Sequence, residues 1–261
     1  MLMCSIINYF FNNHTLNYID YAQIGQYAEN KYWNKASGLM DQMACAVGGT
    51  ILLDFSKNVK FEKVDFSFAQ IGYDLIIINT GKGHADLSHE YSEIPLEMKL
   101  IARKLGTSQL SENDLSDILN RFSEIESSVT NDRAILRSLH FFEESHRVDE
   151  AISAIQEKNK KQLLKLIEES GNSSWKWLQN CYSEENYKEQ KVSLVLALTE
   201  LFLRKIGDGC CRVHGGGFAG VIMSVVPKTE TSNYIQFMSR FVNVNNIYPM
   251  QIRKFGAIHL E

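Results

Sequence analysis

The residues best suited to chemistry lie in the stretch from Glu29 to Phe55. Within it, Ser37 and Gly38 belong to a predicted loop, and Asp41 falls in the first turn of a predicted short helix. A carboxylate one turn into a helix lies near the positive end of the helix dipole and stays ionised near neutral pH, as a general base requires. An aspartate at the start of a helix also serves often as a cap, and the local sequence alone favours that interpretation.

The segment HGGGFAG, residues 214–220, formally contains the glycine spacing of a dinucleotide-binding loop. Its context excludes that class, because the glycines lie between two predicted strands instead of opening a helix. A tight hairpin needs glycine for positive φ, although three adjacent glycines exceed what a hairpin requires. The amides of Gly215, Gly216 and Gly217 could also approach an anion closely, so a structural hairpin and a phosphate-adjacent loop both stay open.

A second group of polar residues, His84, Asp86, His89 and Glu90, has side chains of the kinds that bind metals. Their spacing does not put the ligands on one helix face, so a loop that caps the following helix is the favoured interpretation. Tyr91 comes next. It could pack on the core at the start of the helix or present its hydroxyl to a ligand.

Composition indicates a soluble globular protein: of 261 residues, 44% are hydrophobic and 22% are charged. The net charge of -4 gives no basic excess, which argues against nucleic-acid or anionic-membrane partners. Five cysteines without a CxxC pair indicate reduced thiols in a cytoplasmic protein, and Cys4, Cys45 and Cys210 are expected to be small core residues. The N-terminus lacks the features of a signal peptide, and no segment approaches the length of a membrane span.

Hydrophobic periodicity predicts an α+β fold. Helices are expected over 2–12, 16–33, a short segment at Asp41, 90–105 and 229–242, and strands over 50–55, 60–66, 73–79, 209–213, 221–226 and 255–260. From 111 to 203 the pattern is helical, with predicted breaks near Glu126, Asn159, Gly171 and Ser183. Glycines are expected to end two of the helices, at Gly48 and at Gly106.

Seven segments carry a family resemblance. In chain order they read AENKYW, SGLMDQMACAVGG, ADLSHEYSEIPLEM, RSLHFFEESHRVDEA, ESGNSSWKWLQN, CRVHGGGFAG and IRKFGAIHLE. Together they closely resemble galactokinases, of the GHMP kinase family, and the match runs over essentially the whole chain. The resemblance implies the GHMP kinase fold and ATP-dependent phosphorylation of galactose, or a related hexose, to the sugar 1-phosphate.

The resemblance also implies roles for individual residues. Asp41 matches the family's catalytic aspartate, which accepts the proton of the sugar's anomeric hydroxyl as that oxygen attacks the γ-phosphate of ATP. Glu29 matches the glutamate that helps to hold the magnesium ion of the nucleotide. Gly38 matches a glycine whose backbone contacts the sugar, and Tyr91 matches a tyrosine that contacts galactose. The third family motif, which lies against the active site, is matched by Gly215, Gly216 and Gly217.

The sequence departs from the family at its start. Galactokinases begin with a segment that carries an arginine and a GEHTD-like motif, followed by a G-L-S-S-S-A-type loop that cradles the ATP phosphates, and neither occurs here. A lesser difference is that His214 and Ala219 stand where many members have threonine and glycine. The chain therefore resembles the C-terminal two-thirds of a galactokinase, without the phosphate cradle, the second magnesium ligand and most sugar contacts.

Two functions follow from this departure. The first is a galactokinase whose activity needs the missing part, supplied by a longer native chain or by a companion polypeptide; the 261-residue chain alone is expected to give no turnover. The alternative is a non-catalytic remnant or a sugar-sensing binding module on the same fold. We expect residues 1–85 to be the remnant of the N-terminal catalytic domain and 86–261 to be the C-terminal domain. We also expect an exposed sheet edge and exposed apolar faces on helices 2–12 and 16–33, which would favour aggregation or a partner.

Overall fold

A computed structural model describes residues 1–33, 37–55, 58–81, 87–218 and 220–258. The chain divides into a smaller compact unit, Met1–Gln70 with Gln251–Glu261, and a larger one, Ile71–Met250. Helices and sheets occur in both units, so the predicted α+β class is confirmed. The division predicted at residue 85 stays a prediction.

The smaller unit is built from helices and a small antiparallel sheet. Its elements are α1 (Leu2–Phe11), α2 (Tyr18–Tyr32), α3 (Met40–Val47), β1 (Thr50–Asp54) and β2 (Lys60–Val64). Asn17 begins α2, because its side chain accepts hydrogen bonds from the first turn while Asp20 bonds back to the Asn17 amide. Gly48, at φ 68°, ends α3 as predicted.

The core of the smaller unit lies between α2 and α3, where Ala22, Met43 and Val47 are fully or almost fully buried. Residues 253–257 pack against the C-terminal end of α3. There Gly49 N donates to Arg253 O at 2.8 Å, and Ala257 N donates to Cys45 O at 3.1 Å. These contacts tie residues 253–257 to the end of a helix rather than to a strand. The strand predicted at 255–260 is therefore wrong for residues 255–258, and 259 and 260 lie outside the described residues.

Helix α1 leaves much of its apolar surface in solvent. Leu2, Met3, Phe10 and Phe11 are 60–84% exposed. On α2, Ile24 and Tyr27 are also exposed. The expected apolar faces are therefore present, and the association that they favour stays a prediction.

The larger unit holds the remaining helices and strands. They are β3 (Tyr73–Asn79), α4 (Ser88–Leu105), α5 (Leu115–Asn120), α6 (Phe122–Ser128), α7 (Asp132–Gln156), α8 (Lys160–Ser173), α9 (Lys191–Ile206), β4 (Cys210–His214), β5 (Val221–Pro227), α10 (Thr231–Met238) and β6 (Ile247–Met250). Within the described residues the sheet order is β4-β5-β3-β6, and each neighbouring pair is antiparallel. The core packs α9 and α10 on this sheet around Ile76, Ile222 and Tyr234. Gly106, at φ 91°, ends α4 as predicted.

Two local predictions fail in the larger unit. Helix α8 runs through Gly171, where a Cβ atom would lie 2.9 Å from Arg212 Cβ and 3.1 Å from Cys211 O, so this glycine allows a helix and a strand to approach closely instead of ending the helix. The sequence pattern does not predict strand β6, because Pro249 argues against a strand except at a sheet edge, and β6 is an edge strand.

The cysteines follow the prediction in part. Cys210 is buried, Cys4 is half-buried and all five thiols are free. The expectation for Cys45 is wrong, since it lies on the exposed side of α3. The adjacent Ala46 and Val47 face the core instead.

Candidate functional site

Asp41 lies in the first turn of α3, as predicted, with its side chain exposed. The N-cap position belongs to Leu39, and no hydrogen bond or ion pair to the Asp41 carboxylate occurs among the described residues. The carboxylate therefore does not act as a helix cap. It is an acceptor at the positive end of a helix, open to a ligand.

Glu29, near the end of α2, accepts hydrogen bonds from Ser37 and Gln42. Its Oε1 accepts a hydrogen bond from Gln42 Nε2 at 3.2 Å, and its Oε2 accepts one from the Ser37 hydroxyl. Gln42 follows Asp41 on α3 and is 7% exposed. The glutamate and the Asp41 helix are thus joined by side-chain contacts within the smaller unit.

Gly38 is exposed, in the loop that leads into α3. A Cβ atom added there would meet no described residue within 4 Å, and the φ of Gly38 lies outside the left-handed region. The loop is held at Ser37, whose N–H donates to Asn30 Oδ1 at 2.8 Å and whose carbonyl accepts from Gln26 Nε2 at 3.1 Å. The fold itself therefore does not require glycine at position 38.

The glycine loop, described at residues 215–218 and 220, lies between β4 and β5, and these two strands pair antiparallel as the hairpin interpretation predicts. Gly215 and Gly217 have φ of 69° and 82°, and the non-glycine Phe218 also has a positive φ, of 56°. At its far end, Gly220 O accepts from the Thr80 amide and from the Thr80 hydroxyl, both at 2.8 Å. The tip of the loop, Gly215 and Gly216, is exposed.

Tyr91, in the first turn of α4, packs directly on this loop. Its hydroxyl donates to Gly217 O at 3.0 Å, and its ring meets the Phe218 ring edge-on with centroids 5.5 Å apart. A Cβ atom at Gly216 would lie 2.3 Å from Tyr91 Cε1, so only glycine fits there. Burial, with a smaller contribution from the neighbouring Glu90 carboxylate, raises the pKa of Tyr91.

Asn180 is a site residue that sequence reasoning missed. It is 2% exposed and touches the glycine loop through both its side chain and its main chain. A lone asparagine after a helical segment carries no local signal for a contact with a loop 36 residues later. Ser37 and Gln42, which donate hydrogen bonds to Glu29, likewise carry no local sequence signal for this role.

The acidic and histidine cluster does not form a metal site within the part of the chain that the structure describes, where no group of three or more potential ligands occurs. His84 and Asp86 lie outside the described residues. The His89 side chain is 71% exposed, and Glu90 is buried with its Oε1 accepting from Glu184 N at 3.0 Å. In the same described ranges, every helix is too short or too polar to cross a membrane.

No family model matches the chain, but similar proteins and similar solved structures are known. A galactokinase of Glaesserella parasuis is 30% identical over 221 residues, which are 84% of this chain and 54% of that protein. The chain thus spans about half of the length of this relative. Among solved structures, Lactococcus lactis galactokinase complexed with galactose superposes with a TM-score of 0.75 at 21% identity, covering 98% of this chain and 64% of that one. A mevalonate kinase of L. major in complex with R-mevalonate superposes with a TM-score of 0.55 at 12% identity, covering 93% and 60%.

Proposed function

The chain is a homologue of galactokinases with the fold of the GHMP kinases, and from this premise we propose that it carries the catalytic base of a sugar kinase. The proposed reaction is ATP-dependent phosphorylation of galactose, or a related hexose, at the anomeric hydroxyl. The observation that carries the proposal is the Asp41 carboxylate, which is exposed in the first turn of α3.

Asp41 acts as the general base in this proposal. Its carboxylate takes the proton of the anomeric hydroxyl while that oxygen attacks the γ-phosphorus of ATP and the bond to the β-phosphate oxygen breaks. Among the described residues no donor binds the Asp41 carboxylate, so its oxygens are available to the hydroxyl proton of a sugar.

Glu29 would supply a carboxylate ligand for magnesium. Magnesium bound with ATP takes most of its oxygen ligands from phosphates and water, so one protein carboxylate fits the requirement. Ser37 and Gln42 each donate one hydrogen bond to this carboxylate and so fix the direction of its two oxygens. When bound, the ion would neutralise charge on the phosphates.

Gly38 and Tyr91 are the proposed sugar contacts. The open space at Gly38 lets a sugar approach the backbone just before α3. The Tyr91 hydroxyl donates its proton to Gly217 O, so its role toward a sugar hydroxyl is that of an acceptor. Gly215, Gly216 and Gly217 are the proposed counterpart of the family's third motif.

Activity is proposed to need the part of the fold that the relatives have and this chain does not span. A chimera supplies it: the residues of the Glaesserella parasuis galactokinase that precede the aligned region, joined to this chain. Formation of galactose 1-phosphate from ATP and galactose is then measured for the chimera and for the chain alone. A sugar kinase predicts turnover by the chimera, whereas a sugar-binding module predicts galactose binding by calorimetry without turnover.

A further inference from the structure

Asn180 reaches the glycine loop because of an irregular turn. After α8 the chain forms one wide helical turn over Ser174–Leu178, and Gln179 then adopts a left-handed conformation at φ 58°. This turn places Asn180 against the glycine loop, where only 2% of the Asn180 surface is exposed. A non-glycine residue in the left-handed region is uncommon, so the contacts of the adjacent Asn180 help to hold the turn.

Asn180 holds two consecutive peptide units of the loop. Its side-chain Nδ2 donates to Gly216 O at 3.2 Å, and its main-chain oxygen accepts from Phe218 N. A Cβ atom at Gly217 would lie 2.1 Å from Asn180 O, so the contact is possible only with glycine there. Because Gly216 O can only accept, the side-chain amide must present nitrogen to it, which fixes the amide's orientation.

Tyr91 and Asn180 hold opposite edges of one peptide unit. In a trans peptide the carbonyl and the following N–H point in opposite directions. Gly217 O accepts from the Tyr91 hydroxyl at 3.0 Å, and the N–H of the same unit, on Phe218, points to Asn180 O. The orientation of this peptide unit therefore depends on both residues. A substitution of Asn180 that rotates the unit also changes the hydrogen bond of the Tyr91 hydroxyl.

We infer that Asn180 is a positioning residue that fixes the glycine loop and, through it, the Tyr91 hydroxyl for substrate. The substrate part of this inference rests on the proposed function, but the link from Asn180 to Tyr91 does not. Without the Asn180 side chain, Gly216 O loses its donor and Phe218 N loses a well-placed acceptor. The loop then no longer packs on the Tyr91 ring.

The test compares wild type, Asn180→Ala and the closely isosteric Asn180→Asp, which cannot donate to Gly216 O. Phenolate absorbance is titrated with pH, and subtraction of the Tyr91→Phe protein isolates the Tyr91 signal. In both variants the Tyr91 titration should move from its raised position toward that of an ordinary tyrosine, since burial of the ring by the loop is reduced. Amide exchange in a peptide covering residues 212–220 should become about tenfold faster.

Asn186→Ala is the matched control, because Asn186 is exposed in the segment that comes after Asn180. It should leave the Tyr91 titration and the loop exchange at wild-type values. The inference is overturned if Asn180→Asp, folded by circular dichroism, matches Asn186→Ala in both measurements. Calorimetry with galactose and with MgATP separates the two proposals: a wild-type chimera that binds neither ligand contradicts the proposed function, while the titration still decides the role of Asn180.

Discussion

The Glu29 carboxylate accepts a hydrogen bond from Gln42 Nε2 at 3.2 Å, and Gln42 is the residue next to Asp41 on α3. This contact joins the end of α2 to the start of α3. Since Gln42 is 7% exposed, its side chain cannot move without disturbing the core of the smaller unit. The proposed metal ligand is therefore positioned by the same helix that carries the proposed base.

Replacing Glu29 should weaken the magnesium dependence of the chimera. Glu29→Gln keeps the shape of the side chain but removes the charge that favours a divalent cation. We expect the magnesium concentration for half-maximal turnover to rise roughly tenfold or more, a loss of about 1.4 kcal/mol of binding free energy. Glu62→Gln, an exposed position on β2, is the control. Equal magnesium curves for the two variants would contradict the assignment of Glu29.

Gly38→Ala should separate binding from stability. Because an added Cβ atom meets nothing within 4 Å, the urea midpoint of unfolding should change little. The methyl group would instead occupy space proposed for the sugar, so the galactose KM of the chimera should rise about tenfold or more. A variant with unchanged KM and unchanged stability would show that no sugar approaches this backbone.

Alanine substitutions in the glycine loop should differ in their cost. Gly215→Ala brings the strain of φ 69°, because no described residue lies within 4 Å of the added Cβ atom, and it should cost about 1 kcal/mol of unfolding free energy. Gly217→Ala combines φ 82° with a 2.1 Å approach to Asn180 O and should cost about 2–4 kcal/mol. Gly216→Ala, which meets Tyr91 at 2.3 Å, should cost about 1–3 kcal/mol. Urea unfolding measures all three, and a greater loss for Gly215→Ala than for Gly217→Ala would contradict the packing described.

His140 should make the protein less stable in mild acid. It is 8% exposed, with Nδ1 2.8 Å from Ser173 Oγ, and burial, aided by Arg212 and Arg147, lowers its pKa to about 4. The unfolded chain binds this proton near pH 6.5, so stability is complete above that pH and falls as the pH drops toward about 4. The loss from this group is at most roughly 3 kcal/mol.

The measurement for His140 is the free energy of unfolding in urea at several pH values between 4 and 7. His140→Gln should flatten the slope in this window, whatever its effect on absolute stability. His146→Gln, with a side chain 70% exposed on the same helix, is the control and should keep the wild-type slope. A slope unchanged by His140→Gln would place the acid sensitivity elsewhere.

Local signals account for the parts of the fold that the sequence predicted well. The ends of α3 and α4 follow from single glycines with positive φ, and β3 follows from a continuous apolar run. Gly171 misled the prediction because its requirement comes from a strand about 40 residues away, not from its own helix. A glycine in a helical pattern can therefore mark either the end of a helix or a close approach to another element, and only the packing distinguishes the two.

The residues of the candidate site also differ in whether the sequence alone could predict them. Asp41, Glu29 and Tyr91 could be selected because their residue types and order match a known family. Asn180, Ser37 and Gln42 could not, since each acts through a hydrogen bond to a partner that the local pattern does not specify. Residues that position others depend on the tertiary structure for their role.

The most direct test of the proposed function is the rate of galactose 1-phosphate formation by the chimera and by its Asp41→Asn variant. Asparagine keeps the size of the exposed side chain but cannot accept the sugar's proton, so both proteins should unfold at the same urea concentration. The proposal predicts a fall in kcat of about a hundredfold or more with the galactose KM little changed. A folded Asp41→Asn chimera that forms galactose 1-phosphate at the parent rate would contradict it.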